Sequence, residues 1–321
     1  MADPRATVVI PTLNGGTRFK QCIEAVASQE LTGGFEILVI DSGSEDGTAE
    51  LAEKYGRVER IHKSEFNHGA TRNRAVSMCK GKSVALLVQD AVPQGKDWLR
   101  PLVEAVERPE VAGAYSRQRA QPDCPPFIKA RLDRWSASRA DSEEKRLEDE
   151  SELMDLPVLE RIRLLSFDNV SSCVDREVWS KIPFPQRRFG EDSAWAKQAL
   201  LAGYAIVFEP ASTVEHSHDN SLWYEFKRVY LDHRNWRELA GGCLFNNLLE
   251  VWQASWNGVF ERWNELGVQG VKGRRKWYWM FYAIPYSYSQ NLAQYLGSRS
   301  MKAAARFGWY RKLDDFLARG V

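Results

Sequence analysis

The stretch Ser83-Val84-Ala85-Leu86-Leu87-Val88-Gln89-Asp90-Ala91 is a charge-free apolar run that turns polar at its end. That composition suits a strand buried on both faces, in the middle of a parallel sheet. Upstream of it, Thr71 to Cys79 reads as a helix and Arg60 to His62 as a weaker strand. Phe35-Glu36-Ile37-Leu38-Val39-Ile40 is a second buried strand, followed by a helix from Thr48 to Tyr55 that Gly56 ends. The first strand, Thr7-Val8-Val9-Ile10, stops at Pro11, and Phe19, Cys22, Ile23, Val26 and Ala27 then recur at helical spacing. Downstream, Asp97 to Val106 is helical and Val111 to Ser116 extended. Strands alternating with helices predict an α/β fold, a mainly parallel sheet with helices on both faces. Ligands of such sheets bind beyond the carboxyl ends of the strands. Asn14, Asp41 and Asp90 each follow a strand, the arrangement of a ligand crevice.

The rest of the chain is less regular. Pro122 to Leu165 is proline-punctuated and weakly periodic, with nine acidic and two basic residues between Asp141 and Glu160. It reads as a long, mobile excursion from the sheet domain. Sheet character returns at Ala205-Ile206-Val207-Phe208-Glu209, and beyond His218 the residues Leu222, Phe226, Val229, Trp236 and Leu239 follow the 3.6 period. The expected organisation is a sheet domain over 1–218 and a helical region over 219–321. With 44 basic and 43 acidic residues, no global field favours nucleic acid. No apolar run reaches the roughly 18 residues of a membrane span, and the chain opens almost directly on a strand, so neither a transmembrane helix nor a secretory leader is expected. Five scattered cysteines without a CxxC pair indicate a reduced, cytoplasmic protein.

Common phosphate and hydrolase signatures are absent. Gly81-Lys82-Ser83 looks like the end of a P-loop, but the first glycine of that motif would fall on Val76. No GxGxxG follows a strand, and neither HExxH nor GxSxG occurs. What the chain does contain is an ordered set: Pro11-Thr12-Leu13-Asn14; Asp41-Ser42-Gly43-Ser44-Glu45-Asp46-Gly47-Thr48; Phe66-Asn67-His68-Gly69-Ala70-Thr71-Arg72-Asn73; Gln89-Asp90-Ala91; Gly190-Glu191-Asp192; and Val214-Glu215-His216-Ser217-His218. This order and spacing, over roughly residues 5 to 220, resembles the inverting glycosyltransferases of family two, which have the GT-A fold.

The resemblance implies a role for each motif. Pro11, Thr12, Asn14, Asp41, Ser42, Arg72, Gln89, Asp90 and Ala91 would bind the nucleotide sugar. Asp41 would accept the imide N–H of uracil or thymine, although a strand-end aspartate also closes turns. Arg72 would face the diphosphate, the lesser alternative being a surface arginine. Gln89-Asp90-Ala91 stands where most members carry DxD, so Asp90 is the one charged ligand left there for Mg2+ or Mn2+, with His216 completing the metal site. His218 and Trp195 would touch the acceptor, Trp195 being equally a core residue. Asp192 would be the general base, with Glu191 beside it orienting the loop or touching the acceptor. Cys173 has no partner base in sequence and reads as buried. The Gln89-Asp90-Ala91, Asn67-to-Asn73 and His216-Ser217-His218 blocks together look like the rhamnosyltransferase branch, which implies dTDP-L-rhamnose as donor and a polysaccharide or lipid-linked glycan as acceptor.

The tail stands apart. From Val251 to Val321 there are eleven basic and four acidic residues, with Arg274-Arg275-Lys276-Trp277-Tyr278-Trp279-Met280-Phe281-Tyr282 running from basic to aromatic. Such a segment suits peripheral contact with the inner face of an anionic membrane, a homodimer interface, or packing on the rest of the chain. Other readings of the whole are a UDP-hexose transferase of the same fold, another sugar-nucleotide enzyme such as a nucleotidyltransferase, and a degenerate module that binds nucleotide or glycan without turnover.

Overall fold

A computed structural model describes residues 3–187 and 189–319. The strands are β1 (Ala6–Thr12), β2 (Phe35–Asp41), β3 (Arg57–Arg60), β4 (Ser83–Leu87), β5 (Val92–Pro93), β6 (Val111–Arg119), β7 (Glu143–Lys145), β8 (Ser171–Asp175) and β9 (Ala205–Glu215). The helices are α1 (Gly16–Ala27), α2 (Thr48–Ala52), α3 (His68–Met78), α4 (Leu99–Val106), α5 (Pro126–Arg134), α6 (Glu150–Asp155), α7 (Val158–Leu165), α8 (Arg176–Lys181), α9 (Glu191–Leu201), α10 (Leu222–Ala240), α11 (Leu248–Val268), α12 (Gly273–Gly297), α13 (Ser300–Arg306) and α14 (Gly308–Leu317). Two compact units result. The first holds the residues up to Gln121 with Leu132–Glu152 and Leu164–Ser217; the second holds Pro122–Arg131, Leu153–Arg163 and the chain from His218 on.

The first unit is one sheet in the order β3-β2-β1-β4-β8-β6-β9-β5, with β7 on β9. β1 to β4 pair in parallel, as the apolar runs predict. Beyond β4 the sheet is mixed, because β8 enters antiparallel to both β4 and β6. β1 and β4 are buried along almost their whole length, and α1 docks through Phe19, Cys22, Ile23 and Val26, while Ala27 turns outward. Parallel register brings Thr12 opposite Asp41, so the loops after β1 and β2 leave the sheet side by side.

The acidic excursion is more ordered than its periodicity suggests, holding α5, β7, α6 and α7. Within the first unit its anchor is Lys145. The buried ammonium donates to the Tyr115 hydroxyl and the Ser166 carbonyl, both at 2.8 Å. Cys173 lies fully buried in β8, where burial pushes its thiol far up, so it is no nucleophile.

The second unit is helical. The Arg131 guanidinium is paired with the buried Glu225 of α10, and the Tyr230 hydroxyl donates to Asp314 at 2.7 Å. Gly297, the last residue of α12, lies against α10 so closely that a Cβ there would stand 2.1 Å from the Tyr230 carbonyl oxygen. Among the described residues no helix is long and apolar enough to cross a membrane.

Candidate active site

The loops after β1 and β2 are laced together. The Ser42 hydroxyl donates to the Thr12 carbonyl at 2.9 Å, and the backbone N–H of Asn14 donates to Ser44 Oγ at 2.8 Å. The Asn14 side chain accepts from the N–H of Glu45 at 2.8 Å, and Asn14 takes a positive φ of 46°. The left-handed region suits Asn better than most residues. Pro11 lies in β1 opposite Ile40 and is half-buried. Thr12, Asn14 and Ser42 therefore hold loop geometry through the contacts they make.

Asp41 differs. It is 2% exposed, and its Oδ2 accepts from the N–H groups of Gly43 and Ser44, both at 3.1 Å. Its Oδ1 is buried with no hydrogen-bond partner. A buried acceptor without a donor costs about 1–3 kcal/mol, so this oxygen marks a place where a ligand N–H would be stabilising.

Gln89 is turned inward. Its Oε1 accepts from Thr12 Oγ1 at 2.6 Å and from the Leu13 N–H at 2.9 Å, and its Nε2 donates to the Leu13 carbonyl at 3.3 Å. Where DxD would present an acid, this residue ties the end of β4 to the first loop. Ala91 is fully buried. Asp90 keeps a quarter of its side chain exposed, and its Oδ1 lies 3.8 Å from Nε2 of the buried His216. A carboxylate and an imidazole suit a divalent cation. Two metal–ligand bonds of about 2.1 Å span up to about 4.2 Å, so Asp90 and His216 could hold a metal ion. His218, two residues on, is exposed and opens the second unit.

The two acids at the start of α9 have separate fates. Glu191 is buried and accepts from Arg72 at 2.5 Å and from Asn169 Nδ2 at 3.5 Å. Arg72 sits in the second turn of α3, 5% exposed, its Nε without a partner. It is the internal counter-ion of Glu191, not an open anion-binding arginine at the helix start. Asp192 is half-buried, with Oδ1 accepting from the Ser193 N–H at 2.7 Å. Burial, then the nearby Glu191 and Asp168 charges, push its carboxyl up to about 8. A carboxylate tuned toward neutral pH is matched to general-base work. Trp195 does not line a pocket. It is fully buried, in contact with Phe167 and Phe184, and its indole donates to the Ile182 carbonyl at 2.7 Å.

Sequence reasoning missed a group around β6. Gln118 Oε1 lies 3.1 Å from Nδ1 of His216, and its Nε2 donates to Asp168. The expected strand ended at Ser116, two residues short of Gln118, so nothing local marked it. Arg18 was missed too; it reaches the Asp90 carbonyl at 3.3 Å and Glu215 at 2.9 Å.

Residues 7–159 match the model of Glycosyl transferase family 2. The chain is 29% identical over 237 residues to O-antigen chain rhamnosyltransferase RfbN of Salmonella typhimurium, covering 70% of each chain. It is also 29% identical over 233 residues to O-antigen chain rhamnosyltransferase WbaN of Salmonella anatum, covering 71% of this chain and 70% of that one. Among solved structures it is similar to mannosyltransferase PcManGT from Pyrobaculum calidifontis in complex with GDP-Man and Mn2+, with TM-score 0.54 and 16% identity over 99% of this chain and 85% of that chain. S. aureus TarS 1–349 in complex with UDP-GlcNAc matches at TM-score 0.51 and 15% identity, over 91% of each chain. The chain is a glycosyltransferase of the GT-A fold, and residues 7–159 are its Glycosyl transferase family 2 domain.

Proposed function

We propose that this glycosyltransferase moves L-rhamnose from dTDP-L-rhamnose to a hydroxyl of a polysaccharide or lipid-linked glycan, with inversion at the anomeric carbon. The observation that carries the mechanism is the division of labour on α9: Glu191 is locked to Arg72, while Asp192 is raised toward neutral pH. Asp192 takes the proton of the acceptor hydroxyl as its oxygen bonds to the anomeric carbon. The bond from that carbon to the diphosphate oxygen breaks on the opposite face, and its electron pair leaves with the nucleoside diphosphate. The unpartnered Oδ1 of Asp41 accepts the imide N–H of the base. Asp90 and His216 would hold Mg2+ or Mn2+, which when bound supplies positive charge to the leaving diphosphate. The rhamnosyl donor rests on the likeness to the two Salmonella enzymes.

The deciding experiment follows nucleotide release from dTDP-L-rhamnose and UDP-hexoses, beside thermal shifts with dTDP, UDP, GDP and CDP in Mg2+ or EDTA. A nucleotide at 100 times its Kd stabilises by about 2.7 kcal/mol. Release of dTDP, lost in Asp192→Asn, is expected. A UDP preference would move the donor to a UDP-hexose, and binding without turnover would make the chain a binding module.

The acceptor side of the proposal involves the second unit. Trp277, Tyr278 and Phe281 of α12 are 61, 60 and 69% exposed, directly after Arg274, Arg275 and Lys276. An anionic bilayer matches both the charge and the aromatic face, which favours a peripheral location at the inner membrane surface. Co-sedimentation with phosphatidylglycerol vesicles, but not phosphatidylcholine ones, is expected. A concentration-dependent dimer that ignores vesicles would instead make this face a subunit interface.

A further inference from the structure

His216 presents one ring nitrogen to Asp90 and the other to Gln118. Which nitrogen carries the proton follows from chemistry. The Asp168 carboxylate can only accept, so the Gln118 amide must turn its NH2 to Asp168. That leaves Gln118 Oε1, an acceptor, facing Nδ1 of His216 at 3.1 Å. In the neutral imidazole Nδ1 therefore bears the hydrogen, and Nε2 is the nitrogen with the lone pair, on the side of Asp90. Gln118 is 5% exposed, so water competes little for these groups. The arrangement is built by the sheet: Gln118 on β6 is in register with Val214 on β9, and the His216 N–H donates to the Arg119 carbonyl at 2.9 Å.

We propose that Gln118 and Asp168 are positioning residues that fix the tautomer of His216 and so prepare Nε2 as a metal ligand. The proposal rests on the reading of Asp90 and His216 as a metal site, and its test separates the two. Nitrogen-15 shifts of the His216 ring, taken without metal, report the tautomer directly, and Mn2+ titration in the presence of dTDP reports affinity.

In the unsubstituted protein the Nδ1–H tautomer is expected. Gln118→Leu should mix the tautomers and weaken Mn2+ binding by about 10–100-fold, the usual cost of losing the group behind a ligating histidine. Gln118→Glu alone sets two carboxylates face to face and should also weaken binding. Adding Asp168→Asn to it restores one donor and one acceptor, so the double variant should recover both the tautomer and the affinity. That recovery also guards against a variant that merely misfolds. An unsubstituted protein in the Nε2–H form, or a Gln118→Leu protein that keeps the Nδ1–H tautomer, would overturn the proposal. A fixed Nδ1–H tautomer without Mn2+ binding would overturn the metal reading and leave only the tautomer control standing.

Discussion

The two units differ in where most of their fully buried and most exposed tryptophans lie, although Trp135 of the first is part-exposed and Trp236 of the second is buried. In the first, Trp98 and Trp195 are fully buried and their indole N–H groups are bonded, to Ser171 at 2.9 Å and to the Ile182 carbonyl at 2.7 Å. In the second, Trp223, Trp252, Trp277 and Trp309 are all more than half exposed. An indole with its N–H satisfied is large apolar cargo for a core. The same indole on a surface stabilises little unless something covers it, and it becomes a means of contact. Burial in the first unit thus sets chemistry as well as stability, raising Asp192 and locking Glu191, whereas the exposed indoles of the second unit face solvent.

Four measurements sharpen or break that contrast. The largest effect belongs to Asp192. Asp192→Asn should lower kcat by about 10²–10⁴-fold, the usual contribution of a general base. It should not lower Tm at pH 8. A carboxyl whose folded pKa is raised contributes most below its unfolded pKa and loses that contribution as pH climbs toward about 8, so removing it relieves the folded state. A variant that loses activity by melting would break the contrast. Next, removing either member of the Arg72–Glu191 pair leaves a buried charge alone, so Glu191→Ala should cost about 3–5 kcal/mol in chemical denaturation. Trp195→Ala should cost a similar 3–5 kcal/mol by cavity formation, where Trp277→Ala should stay within about 0.5 kcal/mol yet weaken vesicle binding. Equal losses at the two tryptophans would show that exposure does not divide the units. The smallest effect is on the pH profile: kcat of the unsubstituted enzyme should rise through neutral pH and flatten above about 8, as Asp192 ionises. A profile flat from pH 6 to 9 would remove Asp192 from the role of base.

Legibility in the sequence followed distance along the chain. β1, β2 and β4 announce themselves because each is a short apolar run bounded by punctuating residues, and the resemblance picked out the residues at their ends. β8 escaped because its burial is polar: Ser171 holds the Trp98 indole and Ser172 donates to Asn169 at 2.8 Å. No hydropathy pattern reports a serine buried for its hydroxyl. Asp41 and Asp90 were marked by their places at strand ends, and Asp192 was named from the resemblance. What each does was not readable, because it depends on neighbours brought from far away. Arg72 meets Glu191 across 119 positions and Gln118 meets His216 across 98. Arg72 was therefore expected at a diphosphate and is found holding an acid, and Trp195 was weighed for the acceptor and is core.

Gly297 has a consequence for how such a chain can change over time. An exposed aromatic of the second unit, such as Trp277 beside Phe281, can be exchanged at little cost to the fold, since more than half of it faces solvent. Position 297 has no such freedom, because a single added carbon would meet the Tyr230 carbonyl at 2.1 Å. Backbone atoms do not step aside as a side chain can. A replacement there becomes tolerable only in a lineage where α10 has already shifted, so the two helices are bound to vary together.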